Sequence, residues 1–433
     1  MAKAAGELLR FGLVGCGARG HSLLSHFNRI PSGRCVAVCD LRDERLRSAQ
    51  VTANGRPQGH SDYRELLDRK DVDAVVVATP LREHFPVTRD ALKAGKHVFC
   101  ERPLVFRPEE VTALRGLAES HPDLVIQVGF QHRYSEFYQL ARKMASKGYL
   151  GEVTHISIQA HVNTGEVLKD NSRADNWRFF REYSLGLLSE FTAAQLDVAE
   201  WVFGDAPETV IGVGGLDWSR DGRDVDDNVA LVFRYPGGRK LTATAVATSP
   251  HLPMLGGTRT GCAEMIMGTE GTIEITVGND DLPALGLWYY EPSPTKVSTP
   301  EARQEIARVA GATMGTSRRD LSCMPILLKD DQFTGDESFF ERELKYSRRW
   351  LYAKGLMAPQ EDRHPVELEL EDFLECCRSG RTPKAGVEAG LSNAITMILA
   401  DHAMRKGRKV NFDEFEKLSQ GREEPLSRGN PAR

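Results

Sequence analysis

The sequence predicts an α/β protein with two domains, in which a doubly wound parallel sheet is followed by a mainly antiparallel sheet. The chain has 433 residues, which is enough to form two sizeable hydrophobic cores. In its first part, short apolar runs alternate with helical patterns, and the segment 75–78 is apolar on both faces, as in a parallel sheet covered by helices on each side. In its second part, strand-like runs follow one another, and the turn "YPGGRK" predicts a hairpin.

The strands of the first sheet are predicted, in chain order, at "LLRFGLVG", "RCVAVCD", "VDAVVVATP", "KHVFCE" and "LVIQVGF". Those of the second sheet are predicted at "GEVTHISIQAHV", "ETVIGVGGLDW", "NVALVFRYPGGRKLTATAVATS" and "AEMIMGTEGTIEIT". The first domain is expected to span 1–128 and the second 129–412, with an insertion at 280–360 and closing helices at 365–410. Residues 413–433 are expected to form a tail.

Three glycines with G-x-G-x-x-G spacing, Gly15, Gly17 and Gly20, follow the first strand and precede a helical pattern. The first permits a tight turn, the second lets the backbone approach a pyrophosphate, and the third lets helix and strand pack closely. Asp40 ends the next strand, where a carboxylate accepts hydrogen bonds from ribose hydroxyls. Together they predict a dinucleotide site, against the alternative of a glycine turn without a ligand.

Asp40 also bears on which dinucleotide is bound. Its carboxylate would repel a 2′-phosphate, which favours NAD over NADP. Arg42 and Arg45 are close in sequence and weaken that preference. NAD is therefore the predicted cofactor, and NADP is the less favoured alternative.

Composition and charge argue against several other classes of function. The formal net charge is -5, and no basic stripe is interleaved with aromatic residues, so nucleic acid is not an expected partner. No run of about 18 apolar residues occurs, and the first residues pass directly into a strand pattern, so neither a membrane span nor a signal peptide is predicted and a cytoplasmic location is expected. The 8 cysteines lack zinc-ligand spacing, which predicts buried thiols and no metal.

Several motifs resemble those of one family. "VATPLREHFPVTRDALKAGKHVFCERPL" is similar to the T-P-x-x-x-H, A-L-x-A-G-K-H-V and E-K-P signature of the Gfo/Idh/MocA oxidoreductases, and the similarity continues through "GFQHRYSEFYQLARKMASKGYLGEV" and "GTEGTIEI" to the closing helices. The resemblance implies a Rossmann domain and a second α/β domain with an open, mainly antiparallel sheet. It also implies a sugar, polyol, inositol or glycoside substrate, and a homodimer or homotetramer formed through the outer face of the second sheet.

The resemblance, combined with the glycine-rich turn, assigns residues to three roles. The predicted cofactor-binding residues are Gly15, Gly17, Ala18, Arg19, Gly20, Asp40, Leu41, Arg42, Thr79, Pro80, His84, Glu101, Arg102 and Gln131. The predicted substrate-binding residues are Arg102, Arg133, Asn176, Trp177, Arg178, Glu190 and Ala194, and the predicted catalytic residues are Arg102, Glu190 and Tyr134. Two alternatives stay open. His84 could be a capping or surface histidine, and Trp177 could be a core anchor with Arg178 as its surface companion.

The sequence departs from the family pattern at the positions that would move a proton. Arg102 stands where the family usually has lysine, and a guanidinium does not act as a proton acceptor in proteins. On the following helix Glu190 takes the place of the first family acid and Ala194 that of the histidine, whereas Asp197 keeps the last acid. At helical spacing the three residues would share one face. Asp197 is expected to be structural.

A hydroxyl proton must still be removed if the protein oxidises an alcohol. Glu190, Tyr134, Tyr183 and a bound water are the candidate acceptors. Arginine pairs in "MGTSRRDLS" and "KYSRRW" could meet an anionic substrate group or form surface ion pairs.

The predicted function is an NAD-dependent oxidoreductase that transfers a hydride at a secondary carbinol carbon of a sugar, cyclitol or glycoside. The first alternative is an NAD-dependent redox-neutral glycosidase, which oxidises, eliminates, hydrates and reduces within one turnover. The second is a non-catalytic regulator that binds dinucleotide and sugar.

Overall fold

A computed structural model describes residues 8–161, 168, 173–248, 252–253, 259–260, 262–276, 285–290, 324–353, 357 and 359–421. The predicted insertion is therefore described in part, and the tail only as far as residue 421. The arginine pair of "MGTSRRDLS" lies outside the described residues.

The first domain contains six parallel strands in the order β3-β2-β1-β4-β5-β6. The strands are β1 Leu9–Val14, β2 Gly33–Cys39, β3 Gln58–His60, β4 Ala74–Val77, β5 His97–Cys100 and β6 Ile126–Val128. The helices between them are α1 Ala18–Phe27, α2 Asp43–Thr52, α3 Tyr63–Leu67, α4 His84–Lys93 and α5 Pro108–Ser120. The central residues of β4 are fully buried, as their apolar character on both faces predicts. The doubly wound parallel sheet predicted from the sequence is confirmed.

The second domain contains a nine-stranded sheet with the order β16-β15-β14-β13-β7-β10-β9-β8-β17. Its strands are β7 Val153–His161, β8 Thr209–Gly215, β9 Asn228–Arg234, β10 Lys240–Val246, β13 Cys262–Gly268, β14 Gly271–Thr276, β15 Leu285–Tyr290, β16 Met324–Pro325 and β17 Val410–Asn411, and β11 Leu252–Pro253 pairs separately with β12 Arg259–Thr260. Only β7 and β10 run parallel among the pairs of this sheet in the described residues. The mainly antiparallel sheet is thus also confirmed.

Among the described residues, six further α-helices follow the first domain in the chain. They are α6 Glu136–Ser146, α7 Ala193–Phe203, α8 Phe339–Ala353, α9 Pro365–Ser379, α10 Val387–Lys406 and α11 Phe415–Ser419. α8 has the helical spacing expected of "SFFERELKYSRRWLYA". Arg348 of this helix donates to the Asp331 carboxylate at 3.3 Å, and Arg349 donates to the Asp331 backbone oxygen at 2.6 Å. This arginine pair therefore makes contacts within the protein.

The two closing helices connect both sheets. α9 follows the second domain in sequence but packs on the first sheet, where Phe373 contacts Phe99 edge to face with ring centroids 5.7 Å apart. α10 lies against α5, α7 and β8. Gly390 of α10 permits this packing, because a Cβ atom there would stand 2.7 Å from Val128. The carboxyl edge of the first sheet is therefore held in a fixed place beside the second domain.

The strands of the second sheet alternate between a buried and an exposed face. In β9, Val229, Leu231 and Phe233 are buried. On the opposite face Val232 is 42% exposed, and Val213 of β8 is 68% exposed. This apolar outer face is where the family resemblance places subunit contacts, and the oligomeric state stays a prediction.

Two further sequence expectations concern the cysteines and the membrane. Of the cysteines in the described residues, Cys262 is partly exposed, and the buried ones are Cys16, Cys35, Cys39, Cys100, Cys376 and Cys377. Within the same residues, no helix combines the length and the apolar character needed to cross a bilayer. No group of three or more histidine, cysteine, aspartate or glutamate side chains there is arranged to hold a metal ion.

Candidate active site

The glycine-rich turn has the geometry of a pyrophosphate cradle. Gly15 has φ +95°, and a Cβ atom there would stand 2.5 Å from the Ala78 oxygen on the adjacent strand. A Cβ atom on Gly20 would stand 2.1 Å from the Gly15 oxygen. At Gly17, no described atom beyond its immediate chain neighbours lies within 4 Å of the corresponding position. Since α1 begins at Ala18, the open space lies at a helix N-terminus, where backbone N–H groups favour an anion.

Asp40 is held at the end of β2 by two backbone donors. The Cys16 N–H donates to Oδ2 at 2.8 Å and the Arg42 N–H to Oδ1 at 2.9 Å. Each carboxylate oxygen keeps a further lone pair for ribose hydroxyls. Leu41 beside it is 90% exposed, which provides an apolar surface for an adenine ring. The residues present therefore fit NAD.

The end of β4 provides a polar atom without a partner. Thr79 Oγ1 is buried and makes no hydrogen bond to any described residue. Pro80 follows and begins the turn into α4. Thr79 thus offers an unused hydrogen-bonding group at the carboxyl edge, where ligands bind in this architecture.

His84 lies beneath this edge and is only 3% exposed, so the surface alternative is wrong. Its Nδ1 lies 2.7 Å from the Pro103 oxygen and its Nε2 lies 3.0 Å from the Thr79 oxygen. Because both neighbours are acceptors, only the imidazolium satisfies both nitrogens. Burial opposes this charge, but the contacts with Cys100 and the two carbonyl groups raise the pKa of His84 to about 9. His84 therefore ties the ends of β4 and β5 together.

Glu101 and Arg102 form the corner at the end of β5. Arg19 of the glycine-rich turn donates from Nε to Glu101 Oε1 at 2.7 Å. Arg102 donates from Nη1 to the backbone oxygen of Glu190 at 3.1 Å, and the peptide bond before Pro103 is cis. Glu101 thus binds the nucleotide turn and Arg102 contacts the second domain. The two neighbouring side chains thus connect the glycine-rich turn with the second domain.

Glu190 lies opposite this corner. Its Oε2 accepts from Arg178 Nε at 3.0 Å and its Oε1 from Ser184 Oγ at 3.1 Å, with 14% of the side chain exposed. The segment Leu188–Thr192 forms a π-helical turn before α7. A π turn rotates the following residues relative to α-helical counting. The Glu190 and Asp197 carboxylates bind different arginines, Arg178 and Arg133, and their sharing of one helical face stays a prediction.

Arg133 and Asp197 form a buried ion pair. Arg133 donates from Nε and Nη2 to the two carboxylate oxygens, both at 2.8 Å, and from Nη1 to the Lys384 oxygen at 2.9 Å. The side chains are 12% and 1% exposed. Ala194, one turn before Asp197 on α7, is 3% exposed and adds no polar group. These contacts favour a structural role for Arg133, and its role in substrate binding stays a prediction.

Tyr134 points away from the Arg102 corner. Its hydroxyl donates to Asp372 Oδ2 at 2.8 Å, and it lines a cavity of about 700 Å³ between α6, α9 and residues 328–332. Neither Arg102 nor Glu190 lines this cavity. Burial, with the nearby carboxyl groups of Glu369 and Asp372, raises the pKa of Tyr134 strongly. In the described residues the Tyr134 hydroxyl binds Asp372 and not Arg102 or Glu190, and its catalytic role stays a prediction.

We call residues 173–184 the strap, because they cross from the second domain to the first. Asp175 pairs with Arg42, and Glu182 pairs with Arg82 beyond β4. Arg107 also donates to the Glu182 backbone oxygen at 3.3 Å. The strap is thus attached to the first domain beside β2 and again beside β4.

The strap carries the remaining predicted substrate residues. Asn176 is 8% exposed, and Trp177 is half-buried. The Arg178 guanidinium lies 4.3 Å from the centre of the Trp177 ring. Tyr183 has the Arg82 guanidinium 5.3 Å from its ring centre. Trp177 packs against the core while Arg178 reaches Glu190, so both interpretations of this pair remain open.

A buried polar cluster near the Arg102 corner was not predicted. The His132 ring stacks on Tyr138 with centroids 4.6 Å apart, and burial together with the Arg102 charge lowers the pKa of His132 to about 3. Glu264 of β13 is 1% exposed, and burial raises its pKa to about 8. The Glu369 carboxylate is fully buried and has no hydrogen-bond partner among the described residues.

A sequence signal for two of these residues existed. Glu369 continues the apolar stripe of α9, which includes Val366, Phe373 and Cys377. Glu264 is in phase with Ile266 in a predicted strand. An acid at a position predicted to be buried indicates a partner or a function.

Comparison with known proteins supports this architecture. Residues 9–130 match the family described as "Oxidoreductase family, NAD-binding Rossmann fold", and residues 138–274 match the "GFO/IDH/MocA C-terminal domain". A glycosyl hydrolase family 109 protein from Shewanella sp. (strain ANA-3) is 36% identical over 180 residues, which are 39% of this chain and 39% of that protein. The alignment thus spans about two fifths of this curated relative.

Solved structures are similar over nearly the whole chain. The aldose-aldose oxidoreductase of Caulobacter crescentus superposes with a TM-score of 0.70 at 18% identity, covering 94% of this chain and 100% of that one. Levoglucosan dehydrogenase in complex with NADH has a TM-score of 0.68 at 20% identity, covering 94% and 99%. Those similarities concern the fold. With both domain matches in place, the chain belongs to the Gfo/Idh/MocA oxidoreductase family, and its first domain is an NAD-binding Rossmann domain.

Proposed function

We propose that this protein is an NAD-dependent oxidoreductase that acts on a sugar, cyclitol or glycoside at a secondary carbinol carbon. One observation carries the proposal. The pyrophosphate cradle, the Thr79 hydroxyl and the Glu101–Arg102 corner lie at the carboxyl edge of the first sheet, and Arg102 contacts the backbone of Glu190 from the second domain; we call this place the cleft. NAD bound there supplies the acceptor for a hydride from the carbinol carbon.

The residues of the cleft divide the work of binding and proton transfer. Glu101 orients Arg19 at the nucleotide turn, and Arg102 binds the reacting oxygen as a fixed cation. Glu190 accepts the hydroxyl proton at Oε2, which keeps a lone pair beside its contact with Arg178, whereas Oε1 accepts from Ser184 and Ser189. Trp177 presents an apolar face to the sugar ring.

A second candidate function is an NAD-dependent, redox-neutral glycosidase. Two features favour it: the similarity to glycosyl hydrolase family 109 proteins and the presence of Arg102 in place of lysine. Oxidation next to a C–H bond makes that proton acidic. A guanidinium stabilises the resulting enolate-like oxygen without giving up a proton. Loss of that proton to a base would form a C=C bond and expel the aglycone. Water would add across this bond, and return of the hydride to the ketone carbon would leave no net consumption of cofactor.

A two-channel progress curve separates these functions. Purified protein with NAD is given free sugars and aryl glycosides, and NADH absorbance and aglycone release are followed together. NADH formation without aglycone supports the dehydrogenase. NAD-dependent aglycone release without net NADH supports the glycosidase, and turnover of neither class of substrate would refute both and favour a ligand-binding regulator.

The Arg102→Lys variant is the matched control for the glycosidase. If Arg102 stabilises an enolate-like oxygen, lysine at this position changes the pH profile of aglycone release. An unchanged rate and pH profile would remove the chemical reason for preferring the glycosidase.

We further propose a cytoplasmic homodimer or homotetramer with a sugar-like substrate. The exposed outer face of the second sheet, with Val213 and Val232, supports assembly through this sheet. Sedimentation analysis of wild type and of Val213→Lys measures it, since a charge in an apolar contact lowers the oligomer fraction. A monomeric wild type would contradict the proposal.

A further inference from the structure

NADP differs from NAD by a phosphate on the 2′-oxygen of the adenosine ribose. The place near Asp40 where this oxygen would lie contains a contact between the two domains. Arg42 follows Asp40 by two residues, and its guanidinium pairs with Asp175 of the strap. Its backbone N–H is bound to Asp40 at 2.9 Å. The Arg42 backbone therefore supports the ribose-binding carboxylate, while its side chain is held by the second domain.

The group that pairs with Arg42 affects whether the site prefers NAD or NADP. In dinucleotide-binding folds, an acid at the end of the second strand binds the 2′-hydroxyl of NAD, and a nearby arginine accommodates the 2′-phosphate of NADP. Both groups are present in this chain, as Asp40 and Arg42, so the first domain alone leaves the choice between the cofactors poorly defined.

We propose that Asp175 is a specificity-determining residue that selects NAD by engaging Arg42. With Asp175 in place, the Arg42 guanidinium is paired with a carboxylate of the strap, and an incoming 2′-phosphate meets the Asp40 carboxylate while Arg42 is already engaged. Without Asp175, Arg42 is released to face the phosphate. The inference rests on the proposed function only through its cofactor, and it assigns cofactor choice to a residue outside the nucleotide domain.

The exposure of the pair sets the expected size of the effect. The Arg42 and Asp175 side chains are 49% and 34% exposed, so solvent screens their interaction. A 2′-phosphate carries between one and two negative charges at neutral pH, which enlarges the effect of releasing one cation. We expect a change of roughly tenfold in the ratio of NADP to NAD affinity.

The test measures binding rather than turnover. Dissociation constants for NAD and NADP are determined by isothermal titration calorimetry for wild type, Asp175→Asn, Arg42→Ala/Asp175→Asn and Glu182→Gln. Glu182→Gln is the matched control, because it removes a charge that pairs with Arg82 at the other attachment of the same strap. Circular dichroism checks that each variant is folded.

The expected result is a tenfold shift toward NADP in Asp175→Asn, loss of that shift in the Arg42→Ala/Asp175→Asn variant, and an unchanged ratio in Glu182→Gln. The proposal is overturned if the ratio stays within twofold of wild type in Asp175→Asn, or if Glu182→Gln shifts it equally. A wild type that binds NADP as tightly as NAD also overturns it. The titrations contain no substrate, so their result does not depend on turnover. A protein that selects NAD in this way but turns over no substrate would refute the proposed function and leave the role of Asp175 standing.

Discussion

The buried pair of Arg133 and Asp197 gives a direct test of whether Arg133 is structural or binds substrate. The guanidinium forms two parallel hydrogen bonds of 2.8 Å to the carboxylate. Asp197 is fully buried, and burial raises its pKa although Arg133 opposes this. Replacing Arg133 by leucine leaves a carboxylate buried without its cation.

The cost of that change follows from the burial. Removing one partner of a buried ion pair lowers the free energy of unfolding by about 3–5 kcal/mol, whereas replacing both partners with apolar residues of similar volume is often nearly neutral. With a urea m-value of about 3 kcal/mol/M, the loss lowers the unfolding midpoint by roughly 1–2 M. We therefore expect Arg133→Leu to be strongly destabilised and Arg133→Leu/Asp197→Leu to recover most of the loss.

Urea unfolding followed by circular dichroism measures the midpoints, and steady-state kinetics on the folded variants measures KM. A structural Arg133 lowers the midpoint and leaves KM for the substrate within a few-fold of wild type. If Arg133→Leu keeps the wild-type midpoint while KM rises tenfold or more, Arg133 binds substrate and the structural argument fails. Equal instability of the single and double variants would show that the side chains act through packing rather than through their charges.

Three other changes test the cleft. Gly20→Ala forces a Cβ atom within 2.1 Å of the Gly15 oxygen and should lower both the melting temperature and NADH binding. Gly17→Ala should lower NADH binding alone. Thermal melts and NADH fluorescence titration distinguish the two variants. His84 has a folded-state pKa of about 9 against an ordinary 6.5, so its charged form adds up to about 3 kcal/mol of stability that is complete below pH 6.5 and is lost as pH rises through 9. His84→Gln should remove this slope from urea midpoints measured between pH 6 and 10, and a wild type with no slope would contradict the imidazolium. Glu190→Gln keeps an acceptor for Ser184 but cannot take a proton, so kcat should fall by about 10²-fold at unchanged melting temperature, and an unchanged kcat would exclude Glu190 as the proton acceptor.

The parts of the fold that local sequence determines were predictable. Apolar runs such as Ala74–Val77 between turn signals indicate a strand buried on both faces, and the glycine spacing with Asp40 indicates the turn after the first strand. The strand order of the second sheet and the packing of α9 on the first sheet were not predictable in this way. They depend on contacts between residues far apart in sequence, such as Phe373 with Phe99.

Within the candidate site, the sequence indicated which residues lie there better than it indicated which residues they contact. The resemblance predicts Glu101, Arg102 and Glu190; Glu101 contacts Arg19 and Arg102 contacts the Glu190 backbone, while their roles stay predictions. The helical count that relates Glu190 to Asp197 assumed an α-helix throughout, whereas Leu188–Thr192 forms a π turn. Tyr134 was selected for its place after β6, but the direction of its hydroxyl depends on Asp372, more than 200 residues later.

The strap shows why ion-pair partners far apart in the chain cannot be predicted from the sequence alone. Its contacts Arg42 with Asp175 and Arg82 with Glu182 are ordinary surface charges in the sequence, and each alone contributes little stability. Their importance comes from where they lie, because one is next to the Asp40 carboxylate and the other is beyond the strand that precedes Thr79. A single loop of the second domain thereby contacts the first domain near both ends of the predicted cofactor site. Cofactor choice and substrate binding are consequently expected to depend on the same short segment, although the nucleotide motif itself lies more than 130 residues before it.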